Sequence, residues 1–381
     1  MTDDTRHRWA EAVIDLAAVD HNLRLLTRAV APAAVWAVVK ADAYGHGAVP
    51  VATVALRAGA QGLCVALTDE GLHLRRHGIT APILVLSPQP PHDVDRAVAA
   101  GLTLTVHSVE QVHWVADGAR RHAQEHVPVH VKVDTGMHRV GVTPREAHHV
   151  VRAIVEHAPL LSWDGVFSHL ACADDPDHDL TPRQIERFTE LVARLEADGL
   201  AGARRHLANS AGALAWPSAA HDLVRAGIAL YGIEPGPGVA EHCGDLRRVM
   251  TLRARVSMVK TVPAGAGVSY GWRDVLERDT VVATVPLGYA DGVPRRLSTT
   301  GGEVLIAGVR RRILGVITMD QFMVDCGDDD VAVGDEVVLL GRQGTESIRA
   351  EDWAERLGTI PYEIVCGISA RVPRRWTNTG Q

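Results

Sequence analysis

Aromatic side chains make up only 4% of this 381-residue chain, and no apolar run approaches the ~20 residues that a membrane-spanning helix requires. The first shortage removes the stacking platforms on which single-stranded nucleic acid is bound, and the second excludes a membrane span. Positive charge is also short: 39 Lys plus Arg face 46 Asp plus Glu, and a net charge of -7 offers no general attraction for nucleic acid. The five cysteines, Cys64, Cys172, Cys243, Cys326 and Cys366, lie far apart with no C-x-x-C pair. Neither a zinc cluster nor a disulfide framework is encoded, and all five are expected to be reduced. The histidines include His46 and the neighbours His148 and His149, but no H-E-x-x-H pattern links them, so no metal site is expected. Met1-Thr2-Asp3-Asp4 is acidic and lacks the apolar core of a secretory signal, which makes the cytoplasm the expected location.

What is present is a long alternation. The length exceeds one ordinary core and suits an α/β barrel of about 250 residues plus a smaller domain. Short Val/Leu/Ile runs recur between Ala-rich, helix-like stretches from about residue 34 to 230: Val35–Lys40, Leu63–Leu67, Ile83–Leu86, Leu102–Val106, Val129–Val133, Gly165–Ser168, His206–Ala208 and Leu223–Arg225. Eight such units predict a closed (β/α)8 TIM-like barrel over 17–240. Ser108-Val109-Glu110-Gln111 has capping-box form, and Thr143-Pro144 and Thr181-Pro182 place proline at an expected first helical position. Beyond the turn-rich 234–238 the runs Thr280–Val285, Glu303–Ala307, Ile313–Thr318 and Glu336–Leu340 lack long helical spacers, so 241–381 is expected to be a mainly β domain. Residues 1–16 contain a strand, Glu11–Leu16, that is a candidate to pair with that domain.

Reactive groups in a barrel of this kind sit where strands end. Lys40 closes the first predicted strand, where burial favours the neutral amine that forms Schiff bases; the competing reading is a structural salt bridge. His169 follows the sixth strand, Asn209 and Ser210 the seventh, and Arg225, Gly227 and Ile228 the eighth. Ser210 and the Gly227 and Ile228 amides suit a phosphate, and Arg225 is either a cofactor contact or an ordinary ion-pair partner. The glycine clusters at 236–238 and 265–267 have neither P-loop nor dinucleotide-binding context and read as turns.

The segment Ala37-Val38-Val39-Lys40-Ala41-Asp42-Ala43-Tyr44-Gly45-His46-Gly47 resembles the lysine segment of the alanine racemases. The likeness continues through Lys132-Val133-Asp134-Thr135-Gly136-Met137-His138-Arg139, Ser168-His169, Ala208-Asn209-Ser210 and Arg225 to Gly232. It crosses into the β domain at Val268-Ser269-Tyr270-Gly271, Pro286 to Gly292, Thr318-Met319-Asp320-Gln321 and Pro361-Tyr362-Glu363-Ile364. Matches in order over nearly the whole chain are far more specific than any one motif.

The resemblance implies that Lys40 carries pyridoxal 5'-phosphate and that the chain interconverts L- and D-alanine, supplying D-alanine for peptidoglycan. Lys40 and Tyr270 are then the two bases, one on each face of the substrate carbon. A phenol titrates near 10 and needs a cation beside it to serve near neutrality, a part the resemblance gives to Arg139 along with the substrate carboxylate. Arg225 is implied to face the pyridine nitrogen with His169 behind it, and Tyr44, Asn209, Ser210, Gly227, Ile228 and Tyr362 to complete the cofactor site. Met319 and Asp320 fall on the substrate side. Some relatives carry a carbamate on the lysine matching Lys132; the alternative is a plain lysine paired with Asp134. A homodimer with shared sites is implied. Two departures stand out: His138 where relatives usually have a small residue or asparagine, and Thr318 where many have cysteine. Rival readings are a serine or lysine racemase, a decarboxylase on the same scaffold, and a non-catalytic pyridoxal-phosphate carrier.

Overall fold

The computed structural model describes residues 8–379; the acidic start at 1–4 lies outside them. The described residues divide into two compact units, one made of Ala18–Ala43 and Ala48–Arg247, the other of residues 8–17, the short piece Tyr44–Gly47 and residues 248–379. Among the described residues no helix is long and apolar enough to cross a membrane, and no group of three or more metal-ligating side chains occurs. All five cysteines are free.

In the first unit eight parallel strands neighbour one another in the order Arg204–His206, Leu161–Phe167, Val127–Lys132, Thr103–Val106, Ile83–Val85, Gly62–Val65, Ala34–Val38 and Leu223–Ala226. The ends of this path are joined by Asp222 N–H to Arg205 O and Arg225 N–H to Ala208 O, each 3.1 Å, so the barrel is nearly closed. Gly62–Val65, Ile83–Val85 and Thr103–Val106 are buried throughout, as strands covered on both faces must be, and their residues do not alternate. The outer helices show the matching stripe: Ala147–Glu156 buries Ala147, Val150, Val151 and Ile154, one face of a 3.6-residue repeat.

Several boundaries differ from expectation. The first barrel strand stops at Val38, and Lys40 opens a separate turn, Lys40–Gly45. Ala41, Asp42, Ala43 and Tyr44 have φ of 52°, 52°, 55° and 54°, and Gly45 has 79°, so this turn is left-handed, at a cost of about 1–2 kcal/mol per non-glycine residue. Nothing in the side-chain pattern signals such a run. Ser108 does cap the helix Val109–Arg121, but Gln111 reaches His107 N–H rather than closing the box on Ser108. The helix expected at Pro144 begins at Ala147 after a turn, and Pro182 is third rather than first in Leu180–Ala197. Either place is tolerated because the first turn of a helix leaves its N–H groups unbonded.

In the second unit nine strands follow one path: Met258–Val262, Thr280–Val285, Phe322–Asp325, Val309–Leu314, Glu303–Ile306, Glu336–Gln343, Met250–Arg255, Ala10–Asp15 and Arg374–Thr377. Ala10–Asp15 alternates buried and half-buried residues and lies antiparallel to Met250–Arg255 and parallel to Arg374–Thr377. The run expected at Ile313–Thr318 is corrected to Val309–Leu314. Gly315, at φ 64°, ends the strand and leaves Thr318 in a turn. Two short helices, Ala350–Leu357 and Pro361–Gly367, interrupt the β pattern.

Candidate active site

In the barrel unit the predicted residues occupy the segments that follow strands. Lys40 is half-buried in the left-handed turn. Asn209 caps Ser210–Ala215 by accepting from Gly212 N–H at 2.9 Å. Buried Ser210 accepts at Oγ from Gly227 N–H at 2.9 Å and Ala229 N–H at 3.3 Å, which leaves its own hydrogen to donate. The Gly227 amide is thus turned toward the serine. Ile228 opens a short 3-10 turn, Ile228–Tyr231, where the first N–H has no partner within the turn.

Arg225 is buried and pairs with no carboxylate among the described residues. Its guanidinium donates to His206 Nδ1 at 2.7 Å, Ser168 O at 2.8 Å, Leu207 O at 3.0 Å and His169 Nδ1 at 3.2 Å. Burial pushes it down to about 10. Nε makes no hydrogen bond among the described residues, which leaves a donor suited to an aromatic ring nitrogen. Because a guanidinium only donates, both histidines must accept at Nδ1. His206 then donates from Nε2 to His130 Nδ1 at 2.9 Å, and His130 donates to Asp164 Oδ2 at 3.2 Å. Asp164 in turn meets Arg204 at 3.0 Å. One relay of fixed direction therefore runs from Arg225 through two neutral imidazoles to a carboxylate. Burial, then Arg225, holds His206 well below the usual histidine range, and burial does the same more mildly for His130 against the pull of Asp164.

Lys132 is 5% exposed, with Nζ 3.2 Å from Val133 O and 5.1 Å from the centre of the Phe167 ring. Burial, then Arg225, pushes it down to about 7, with Asp134 pulling upward and Arg139 adding to the fall. The pairing with Asp134 considered from sequence is not formed. Asp134 Oδ1 accepts from the N–H groups of Gly136, Met137 and His138, and Oδ2 faces His138 at 3.4 Å. His138 sits at φ 55°, in the left-handed region that histidine tolerates better than most residues. Arg139 is exposed and makes no ion pair among the described residues. His169 is held well below its usual range by burial first and then by Arg225, Lys132, Arg139 and Lys40.

In the β unit a pocket of about 460 Å³ is lined by Tyr270, Tyr289, Arg295, Thr318, Met319 and Asp320, among others. Tyr270 is 74% exposed and follows Ser269, whose φ is 63° and whose hydroxyl donates to Val316 O at 2.8 Å. Thr318 closes the opposite turn: its hydroxyl donates to Gln321 O at 2.7 Å and its N–H reaches the same oxygen at 3.0 Å. Tyr289 N–H and Ala290 N–H hold Thr318 O and Met319 O at 3.0 and 3.1 Å, a close approach in which a Cβ on Gly288 would clash with both carbonyls. Asp320 is paired with Arg371 at 2.6 Å, and Arg371 also meets buried Asp291 at 3.3 Å. Burial alone would raise the Asp291 carboxyl, yet Arg8, Gly288 N–H and Arg371 together hold it below the usual carboxylate range. Tyr44 and Tyr362 belong to this unit, with ring centres 6.2 Å apart.

Sequence reasoning missed His130, Asp164 and His206, and also Asp291 and Arg371 as partners. His130 had a signal: it stands two residues before Lys132 on one strand and so shares its face.

The chain matches the family descriptions "Alanine racemase, N-terminal domain" over residues 14–235 and "Alanine racemase, C-terminal domain" over 249–376. An alanine racemase of Symbiobacterium thermophilum is 48% identical, covering 98% of this chain and 97% of that protein. One of Thermobifida fusca is 47% identical, covering 97% and 98%. The solved alanine racemase from D-cycloserine producing Streptomyces lavendulae superposes with a TM-score of 0.92 at 42% identity, over 98% of each chain.

Proposed function

The chain belongs to the alanine racemase family, and on that premise we propose how its residues interconvert L- and D-alanine with pyridoxal 5'-phosphate. The observation that carries the reading is buried Arg225, held by two carbonyls and two imidazoles with its Nε–H unused, in the same unit as buried Ser210, whose hydroxyl hydrogen is available. Such donors suit the ring nitrogen and the phosphate of an anionic cofactor. The donors present fit the group: a lysine amine, a serine hydroxyl with its hydrogen available, and a buried arginine with an unused Nε–H.

When bound, the cofactor supplies an electron sink for the carbanion left at the substrate's α-carbon. Lys40 would hold it covalently until the substrate amine takes over that bond; the freed ε-amine would then serve as base on one face, with the Tyr270 phenol moving the proton on the other. Arg139 would orient the substrate carboxylate. Arg225 donates to the ring nitrogen; held by carbonyls and by imidazoles that accept from it, it keeps its proton and limits charge build-up there, which disfavours side reactions such as transamination. Ser210 and the Ile228 N–H, with Tyr44 and Tyr362, would hold the phosphate, while the Gly227 N–H fixes the Ser210 oxygen and Asn209 caps the helix that carries that serine. The Met319 N–H, which has no acceptor among the described residues, and Asp320 face the substrate.

Tyr270, Trp272 and Met319 are 74%, 65% and 51% exposed, a surface that supports a homodimer in which a second copy covers it. A cytoplasmic location and D-alanine supply for peptidoglycan belong to the same proposal. The test offers L-alanine to the cofactor-loaded protein and follows chirality, with Lys40→Ala and Tyr270→Phe beside it. Wild type should reach an equal mixture of enantiomers and each variant should lose at least about a hundredfold in rate, the low end for a positioned acid or base. D-alanine formed at the parental rate by both variants would remove the assignment.

A further inference from the structure

Lys40 is gripped on both sides by the strand and helix that follow it in the barrel. On the N-terminal side, Val39 N–H donates to Cys64 O at 2.9 Å. On the C-terminal side, Ala41 N–H donates to Glu70 Oε1 at 2.6 Å. The other oxygen of Glu70 accepts from Ala66 N–H at 2.7 Å and Leu67 N–H at 3.1 Å, at the start of the helix Thr68–Arg76. A carboxylate that only capped this helix would need the second oxygen alone. The first reaches back 29 residues to the peptide immediately after the lysine.

Glu70 also pairs with no cation among the described residues, so its charge is directed wholly at backbone donors. The grip falls at a strained place. Ala41 begins the left-handed run, a conformation that an alanine does not adopt unaided. Asp42 fastens the same run further on, its Oδ1 accepting from Ala48 N–H at 2.7 Å. Without an acceptor for Ala41 N–H, the backbone on the C-terminal side of Lys40 would be free to leave the left-handed region, and the direction of the lysine side chain would change with it.

We propose that Glu70 is a positioning residue for Lys40: by fixing the first peptide of the left-handed turn, it presents the ε-amine in the one direction from which it condenses with the cofactor aldehyde, releasing water. The proposal rests on Lys40 being the cofactor lysine.

The test measures binding of two probes to cofactor-free protein. Pyridoxal 5'-phosphate carries the aldehyde; pyridoxamine 5'-phosphate has the same ring and phosphate but an amine that cannot condense with Lys40. Glu70→Gln should weaken the aldehyde probe about tenfold, the scale of one charge-assisted hydrogen bond, and the amine probe less than about twofold. Glu70→Asp keeps the charge near the helix start but shortens the reach to Ala41, and should show the same split even if Glu70→Gln folds poorly. In a Lys40→Ala background, Glu70→Gln should change neither affinity. Equal losses for both probes would reduce Glu70 to a general support of the barrel, and no loss for either would end the proposal. If Lys40→Ala alone left the visible absorbance and affinity of the aldehyde probe intact, the reading of Lys40 would fail first and take this one with it.

Discussion

At the scale of single residues, amine chemistry is concentrated: lysine occurs at only three positions, 40, 132 and 260. Two of the three stand at the barrel site, and Lys132 is the more unusual, a buried amine in the field of Arg225 and Arg139. A value of about 7 leaves a large neutral fraction at physiological pH, the form that adds to carbon dioxide. The carbamate that results, with one proton released, is an anion in the field of Arg225 and Arg139, and it turns a repulsive arrangement into an attractive one. We predict an intact mass near pH 8 that exceeds sequence plus cofactor by one carbon dioxide, lost on acidification and absent in Lys132→Met. A native mass without the increment, or electron density ending at Nζ, would return Lys132 to a plain lysine. The alternative seen from sequence, a pair with Asp134, failed for a local reason: the carboxylate closes the 134–138 turn on backbone N–H groups. Spacing along a chain does not reveal such use of a side chain.

At the scale of elements, apolar runs and helix stripes made the barrel legible, because burial on both faces and the 3.6-residue period both leave marks in sequence. The left-handed turn after Lys40 and the histidine relay leave none, since each depends on residues from different strands or on backbone angles foreign to alanine. The relay has a measurable consequence. His130, His169 and His206 all have lowered values in the folded barrel, so below about pH 6.5 the unfolded chain binds protons that the folded chain refuses. Their contribution is intact above the unfolded value near 6.5 and is lost as pH falls below it. The urea midpoint of cofactor-free protein should therefore drop from pH 7 to pH 5. His206→Leu, which leaves an Arg225 N–H and His130 Nδ1 without partners, should cost about 1–3 kcal/mol at pH 7. His206→Gln can accept from Arg225 and donate to His130, and should recover much of that loss while flattening the acid dependence. A midpoint that rises on acidification, or a leucine variant as stable as the parent, would contradict the relay.

At the scale of the whole molecule, the proposed chemistry draws on groups that the fold assigns to different units: Lys40 and Arg139 to the barrel, Tyr270 and Met319 to the β unit. The two-part organisation was readable from the change in element style near residue 240, whereas assembly was suggested only by family likeness, because no periodicity encodes which surface a second copy covers. Shared sites in a two-fold dimer make a sharp statistical prediction. Lys40→Ala and Tyr270→Phe dimers should each be nearly inactive. After subunit exchange, about half of the dimers hold one of each chain, and in these one site joins the intact Lys40 of one copy to the intact Tyr270 of the other. Recovery should approach about a quarter of the wild-type rate per site. The mixture of Lys40→Ala with a Lys40→Ala, Tyr270→Phe double variant provides no intact site and should stay silent. If exchange is demonstrated by mass and the first mixture also remains silent, each site must be built from one chain, and the exposed surface around Tyr270 needs a different occupant.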